Sequence, residues 1–264
     1  MSNSERQTNE HHANTYRRKF LTQSTAAVAG LTVAPGLLLT QVAHAKPVAD
    51  KASNANRWGI LIDTNKCNKG CTDCVTACKT ENDWGSVAGV QISAETHSSK
   101  EQQAQWIRKV TVTDKQTGHV QSLPLMCQHC ETAPCVDVCP TGASMKREDG
   151  IVLVDKHICI GCRYCMMACP YKARSFIHEK LELQKTNAPR GIGTVESCTM
   201  CVDRVDNDQD PACVEACSKA KHGAMLFGDL KDAKSAISEE LKKHGGEQIR
   251  ADLGLNTGVR YQGL

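Results

Sequence analysis

The chain has 264 residues, sixteen of them cysteine, with 4% aromatic residues and a formal net charge of +3. Lys+Arg at 32 against Asp+Glu at 29 leaves no basic block outside the N-terminus and no aromatic–basic interleaving, which excludes nucleic acid as a partner. So many thiols with so few rings point to an interior held by cysteine chemistry, where ligand binding becomes folding free energy.

In chain order, Tyr16-Arg17-Arg18-Lys19-Phe20-Leu21-Thr22 is a twin-arginine motif. A weakly apolar stretch from Ser24 to Val42 follows, then the A-x-A signal Ala43-His44-Ala45. Residues 1–45 read as a Tat signal peptide cleaved before Lys46. Pro35-Gly36 and the threonines at 25, 32 and 40 make a poor spanning helix, which needs about 20 strongly apolar residues. Losing the leader removes four basic and two acidic residues and lowers the net charge from +3 to +1. The expected product is periplasmic and meets the membrane only through partners. Tat export moves folded proteins with their cofactors in place, so the leader favours bound cofactors over a disulfide scaffold.

Residues 46–56 read as a linker and 57–228 as the main domain. Ile60-Leu61-Ile62-Asp63 is a short strand ahead of a first cysteine group, Cys67, Cys71, Cys74 and Cys78. Residues 79–126 form an insertion. Within it Trp106 to Val112 alternates as a strand, and Lys115-Gln116-Thr117-Gly118 makes a hairpin turn. The second group is Cys127, Cys130, Cys135 and Cys139, followed by the strand Ile151 to Asp155. The third is Cys159, Cys162, Cys165 and Cys169, and the fourth is Cys198, Cys201, Cys213 and Cys217. A small residue and an apolar pair recur after three groups, at Gly142-Ala143-Ser144-Met145, Ala173-Arg174-Ser175-Phe176 and Gly223-Ala224-Met225-Leu226-Phe227. This repeat of loop, short helix and strand marks ferredoxin halves. Residues 229–244 read as an amphipathic helix with Leu230, Ala233, Ile237 and Leu241 on one face, and Ala251 to Leu264 carries no motif.

The third group is C-x2-C-x2-C-x3-C-P, the bacterial 4Fe–4S run, whose fourth cysteine serves a second cluster. The second group has the same design with a longer middle loop, and eleven residues separate Cys201 from Cys213 in the fourth. Crossed pairing then predicts four 4Fe–4S clusters, with all sixteen cysteines as iron ligands and no catalytic residue. An outer module, 57–78 with 197–228, holds cluster 1 on Cys67, Cys71, Cys74 and Cys217, and cluster 2 on Cys198, Cys201, Cys213 and Cys78. An inner module, 127–178, holds cluster 3 on Cys159, Cys162, Cys165 and Cys139, and cluster 4 on Cys127, Cys130, Cys135 and Cys169. Eight disulfides need no such spacing, zinc knuckles leave half of each group unused, and no C-x2-C pair is followed by the His that covalent haem requires. His129, His157 and His222 read as solvated loop residues. Met166 and Met167 read as soft packing around the clusters, and the stretch Asp203 to Asp210 as a polar loop rather than a calcium site.

The four groups in this order resemble the four-cluster ferredoxin-like subunits of membrane-linked respiratory oxidoreductases. The match is carried by Cys159 to Cys165, by Ala168-Cys169-Pro170-Tyr171-Lys172-Ala173-Arg174, by Cys198-Thr199-Met200-Cys201 and by Pro211 to Cys217. Within that family the chain is similar to the DsrO type, the periplasmic iron–sulfur subunit of DsrMKJOP sulfur-metabolism complexes. The alternative is the electron-transfer subunit of a molybdopterin-type reductase, hydrogenase or nitrite reductase system, of the NrfC, HybA or tetrathionate reductase kind. The resemblance implies an α+β fold: tandem bacterial-type ferredoxin modules, a β insertion, and a C-terminal helix and tail over 229–264. It also implies single-electron relay without a substrate site of the chain's own. The implied partners are an integral-membrane quinone-reactive subunit and another redox subunit such as a multihaem cytochrome c. Two departures fall in the outer module, the C-x3-C spacing across Asn68-Lys69-Gly70 and Ser218 after Cys217.

Overall fold

The computed structural model describes residues 52–84, 103–178 and 189–264. The twin-arginine leader lies outside the described residues, as do most of the linker and the part of the insertion between 85 and 102.

The largest sheet is centred on β1 (Trp58–Asp63). β8 (Met225–Asp229) lies antiparallel on one side and β9 (Val259–Gln262) parallel on the other. Ile60, Leu61 and Ile62 are all buried, the continuous apolar pattern of a strand covered on both faces. Trp58 stacks on Phe227 across the β1–β8 pair at 5.2 Å between ring centres. One sheet face carries helix α6 (Ala236–His244). Gly228 permits this approach, because a Cβ there would meet Ile237 Cγ2 at 2.8 Å.

Two features of this layer depart from the sequence reading. The helix expected from residue 229 starts at Ala236, because Asp229 still belongs to β8 and its carboxylate accepts from the backbone N–H of Arg57 and Lys231. Ser235 then caps the helix by accepting from Ser238 N. The motif-free tail is part of the core. Val259 and Tyr261 are fully buried, and the Tyr261 hydroxyl donates to Pro124 O and accepts from Gln128 Nε2.

The hairpin is β2 (Ile107–Thr113) with β3 (Val120–Met126). Asp114 starts its turn by accepting from Gln116 N, and Gly118 supplies the left-handed residue at φ +71°. Five helices begin inside the cysteine groups, four of them being α1 (Asp73–Asn82), α2 (Pro134–Asp137), α3 (Tyr164–Ala168) and α5 (Ala212–Lys219). They pack in pairs, α1 on α5 and α2 on α3. A further turn of helix, α4 (Val202–Val205), follows Cys201. Two ribbons complete the inner half, β4 (Ser144–Lys146) with β5 (Val152–Val154) and β6 (Arg174–Phe176) with β7 (Val195–Ser197). No helix among the described residues is long and apolar enough to cross a membrane.

Candidate metal centres

The cysteines are not spread evenly through this fold. Cys67, Cys71, Cys74 and Cys217 line one pocket, beside Lys109, Asp73, His222 and Met225. Cys139, Cys159, Cys162 and Cys165 line another, beside Ser144, Ile160, Arg163 and Val195. The other eight are deeper. The thiols of Cys78, Cys201 and Cys213 surround Cys198, and those of Cys135 and Cys169 face both Cys127 and Cys130. The α1–α5 and α2–α3 packings produce this crossing, because each helix leads its group's fourth cysteine toward its partner's loop. The structure thus brings together the four sets expected from crossed pairing.

The sets follow one another in space. Cys74 lies within electrostatic reach of Cys213, Cys127 of Cys198, and Cys135 of Cys165. The order is therefore the Cys67 pocket, the Cys78–Cys198 set, the Cys127–Cys169 set, then the Cys159 pocket. Cys67 and Cys71 at one end, and Cys139, Cys159 and Cys162 at the other, are partly exposed, while the middle eight are buried.

Local backbone geometry makes the tight loops. Gly161, His129, Met200, Arg163 and Cys201 all take left-handed φ between or beside paired cysteines. Gly161 has no substitute, since a Cβ would lie 2.1 Å from Gly193 O. In the first group the extra residue is absorbed by an Asx turn, with Gly70 N donating to Asn68 Oδ1, and Lys109 Nζ clamps Asn68 O and Cys71 O. The departure therefore leaves Cys71 lining its pocket.

Burial pushes the thiols of Cys127 and Cys130 up to about 12 and that of Cys74 to about 11, with neighbouring thiols adding to the rise. Cys198 and Cys213, fully enclosed, rise well above the ordinary thiol value for the same reasons. Such thiols become thiolates only when a cation replaces the proton. All sixteen cysteines are free of disulfides. Hydrogen-bond donors converge on their sulfurs: Trp84 Nε1 on Cys78 at 3.1 Å, Arg174 Nη2 on Cys135 at 3.1 Å, Met200 N on Cys198 at 3.4 Å and Ser144 N on Cys139 at 3.3 Å. Two buried donors beside the Cys127–Cys169 set, Arg174 Nη1 and the Tyr171 hydroxyl, have no protein partner. Orphaned donors facing four converging thiols fit a sulfide-bearing cluster with acceptor atoms of its own.

Residues 66–143 and 118–230 each match the 4Fe–4S dicluster domain. The chain is 37% identical to the Hdr-like menaquinol oxidoreductase iron–sulfur subunit 1 of Archaeoglobus fulgidus, over 94% of this chain and 98% of that one. It is 34% identical to one of the subunits of tetrathionate reductase from Salmonella typhimurium, over 94% and 88% respectively. A sulfite dehydrogenase subunit of Allochromatium vinosum is 37% identical over 76% of this chain and 81% of its own. The chain belongs to the iron–sulfur electron-transfer subunits of respiratory oxidoreductases. As such a subunit it carries four 4Fe–4S clusters, in tandem ferredoxin-type domains.

Several residues of this iron–sulfur subunit escaped the sequence reading or were misread. His129 is no solvated loop residue. It is fully buried, its Nδ1 accepts from Val152 N at 3.0 Å, and burial with the nearby Arg57 and Arg174 lowers its pKa to about 3. His222 is half-buried in the Cys67 pocket, with Nε2 3.6 Å from Asp73. His157 is exposed. Met166 packs in the inner core, but Met167 is 67% exposed. Trp84 and Arg174 had no signal of their own as sulfur donors, although the internal repeat aligns Arg174 with Ser144 and Met225.

Proposed function

We propose that this chain is a periplasmic relay of the DsrO type, exported by the Tat pathway, joining a membrane quinone-reactive subunit to a second redox subunit in a sulfur-metabolism complex. The observation that carries the reading is the pair of partly exposed cysteine pockets at opposite ends of one spatial series. A relay with two open ends suits two partners. The similarity to a menaquinol oxidoreductase subunit over nearly the whole of both chains supports a quinone-linked partner.

The ligand sets are Cys67, Cys71, Cys74 with Cys217; Cys198, Cys201, Cys213 with Cys78; Cys127, Cys130, Cys135 with Cys169; and Cys159, Cys162, Cys165 with Cys139. Bound clusters supply one-electron redox chemistry. The chain supplies the thiolates, the burial, and the N–H donors that fix each site's preference for an electron. It has no substrate site of its own and makes no bond.

The two ends suit different partners. Around Cys159 and Cys162 the surface is apolar, with Ile158, Ile160, Tyr164, Met167 and Ile192 all exposed. An apolar patch of this kind suits a permanent partner, here the membrane subunit. The Cys67 end is rimmed by Asn68, Asp73, Lys109 and His222, which suits a polar redox partner such as a multihaem cytochrome c. A second reading, the same subunit in a molybdopterin-type reductase, is favoured by the similarity to the tetrathionate reductase of Salmonella typhimurium.

The test is purification of the chain from gently solubilised membranes, with iron and acid-labile sulfide measured anaerobically. A complex containing a quinone-reactive membrane subunit and a cytochrome, with about sixteen irons per copy of this chain, is expected. A chain that runs alone overturns the complex, and a molybdenum subunit in the complex selects the second reading.

A further inference from the structure

The internal repeat sets Ser144, Arg174 and Met225 at one position, each following an alanine and each opening a short strand. Their side chains differ completely. Arg174 is 5% exposed, donates from Nη2 to Cys135 Sγ at 3.1 Å and to Ser144 Oγ at 2.8 Å, and leaves Nη1 without a protein partner. Among the described residues no carboxylate forms an ion pair with it. The other guanidiniums differ: buried Arg57 donates to the carbonyls of Gly150, His129 and Asn256, and two more are neutralised by carboxylates. Arg190 forks onto Glu196, and Arg204, beside Cys201, bonds Glu81 and Glu215. A guanidinium stays charged in any protein environment, and a buried one without a counter-charge is costly. Among the described residues, its charge is favoured by the cysteine sites it faces, first Cys135 and Cys127, then Cys165, which it also hydrogen-bonds.

The neighbouring middle site has the opposite surroundings. Cys198 and Cys213 are as deeply enclosed, and the donors turned toward its sulfurs are neutral: Trp84 Nε1 on Cys78, Asn82 Nδ2 on Cys78 and Cys201, and Met200 N on Cys198. The nearest guanidinium, Arg204, is spent on two carboxylates. Met225, the counterpart of Arg174, brings no charge to the Cys67 pocket.

We propose that Arg174 places a step in reduction potential at the middle of the relay. It holds the site of Cys127, Cys130, Cys135 and Cys169 above the adjoining site of Cys78, Cys198, Cys201 and Cys213. Gaining an electron makes a cluster site more negative. A fixed cation and its N–H···S bond favour that state, and a dry interior magnifies the effect. Burial without a cation disfavours it. No atom moves and no co-reactant is needed, since one site is reduced as its neighbour is oxidised. Electrons therefore collect on the inner half. The inference rests on the ligand sets proposed above.

The test is an EPR-monitored redox titration of the cluster-loaded full chain and of two variants. Arg174→Gln keeps a donor for sulfur and removes the charge, whereas Arg174→Lys keeps the charge. With native iron content, the glutamine variant is expected to lower an inner-module midpoint, leave the outer-module midpoints in place, and be restored largely by lysine. Unchanged midpoints in an iron-replete glutamine variant overturn the proposal. A second measurement leaves Arg174 intact in case the glutamine variant fails to load. Cys130→Ser should alter a signal of higher potential than the one that Cys198→Ser alters, and the reverse order overturns the proposal. Iron well below about sixteen in the unmodified chain would instead strike at the four ligand sets, so the two failures are distinguishable.

Discussion

The outer and inner modules share one cysteine plan and build different surroundings for it. The outer module rests on helices of ten and eight residues, α1 and α5, and on a three-stranded sheet that recruits β9 from the far end of the described residues. The inner module has helices of four and five residues and two-stranded ribbons. In the outer module Arg204 pairs with the carboxylates of Glu81 and Glu215, and the inner module leaves Arg174 to the sulfurs. A repeated ligand pattern thus fixes which cofactor binds, while the residues between the ligands decide what each copy is worth as a redox site.

The sharpest way to break this comparison is to remove one ligand from each half. Cys213→Ala, fully enclosed against α1, should cost about four of about sixteen irons and lower the thermal midpoint markedly. Cys162→Ala, at the exposed edge, should cost as much iron with a smaller loss of midpoint. Equal losses in a thermal scan would mean the two halves are one cooperative core. Next in size is Tyr261→Ala, which empties the space between β9 and the hairpin. It should cost about 3 kcal/mol or more in anaerobic urea unfolding, and a cost below 1 kcal/mol would show that the tail does not hold the outer module. Trp84→Phe keeps a six-membered ring, removes the hydrogen bond to Cys78 Sγ and leaves a small cavity. It should cost about 2 kcal/mol and lower one outer-module midpoint, leaving inner ones fixed. The smallest expected effect is Ser235→Ala, about 1 kcal/mol or less from the lost cap of α6, with every midpoint and the iron content unchanged.

The cofactor sites were legible in the sequence because cluster ligation imposes spacing, and spacing survives without any knowledge of packing. The strands before and after the groups were legible for a similar reason, since their short apolar runs repeat. The tail was not. Val259-Arg260-Tyr261-Gln262 is an alternation of only four residues, and its partner β1 lies far back in the chain, so only tertiary pairing reveals it. His129 misled for a related reason. Flanked by cysteines in a polar loop, it looks solvated, and nothing local shows that Arg57 reaches across to its carbonyl oxygen or that Val152 donates to its ring. The start of α6 was misplaced because Leu230 has the right spacing for a helix face while the carboxylate of Asp229 ties that turn to Arg57.

The parallel pairing of β9 with β1 bears on how the molecule is made. The Thr64 hydroxyl bonds the carbonyl of Gln262, 198 residues later. A ribosome delivers β1 and the first three ligands of the Cys67 pocket early, yet Cys217 and the strand that flanks β1 arrive much later. The inner groups, close together in sequence, can meet while translation is still under way. The half made first is therefore the half finished last, and iron delivered to a growing chain would find its earliest complete home in the middle of the sequence.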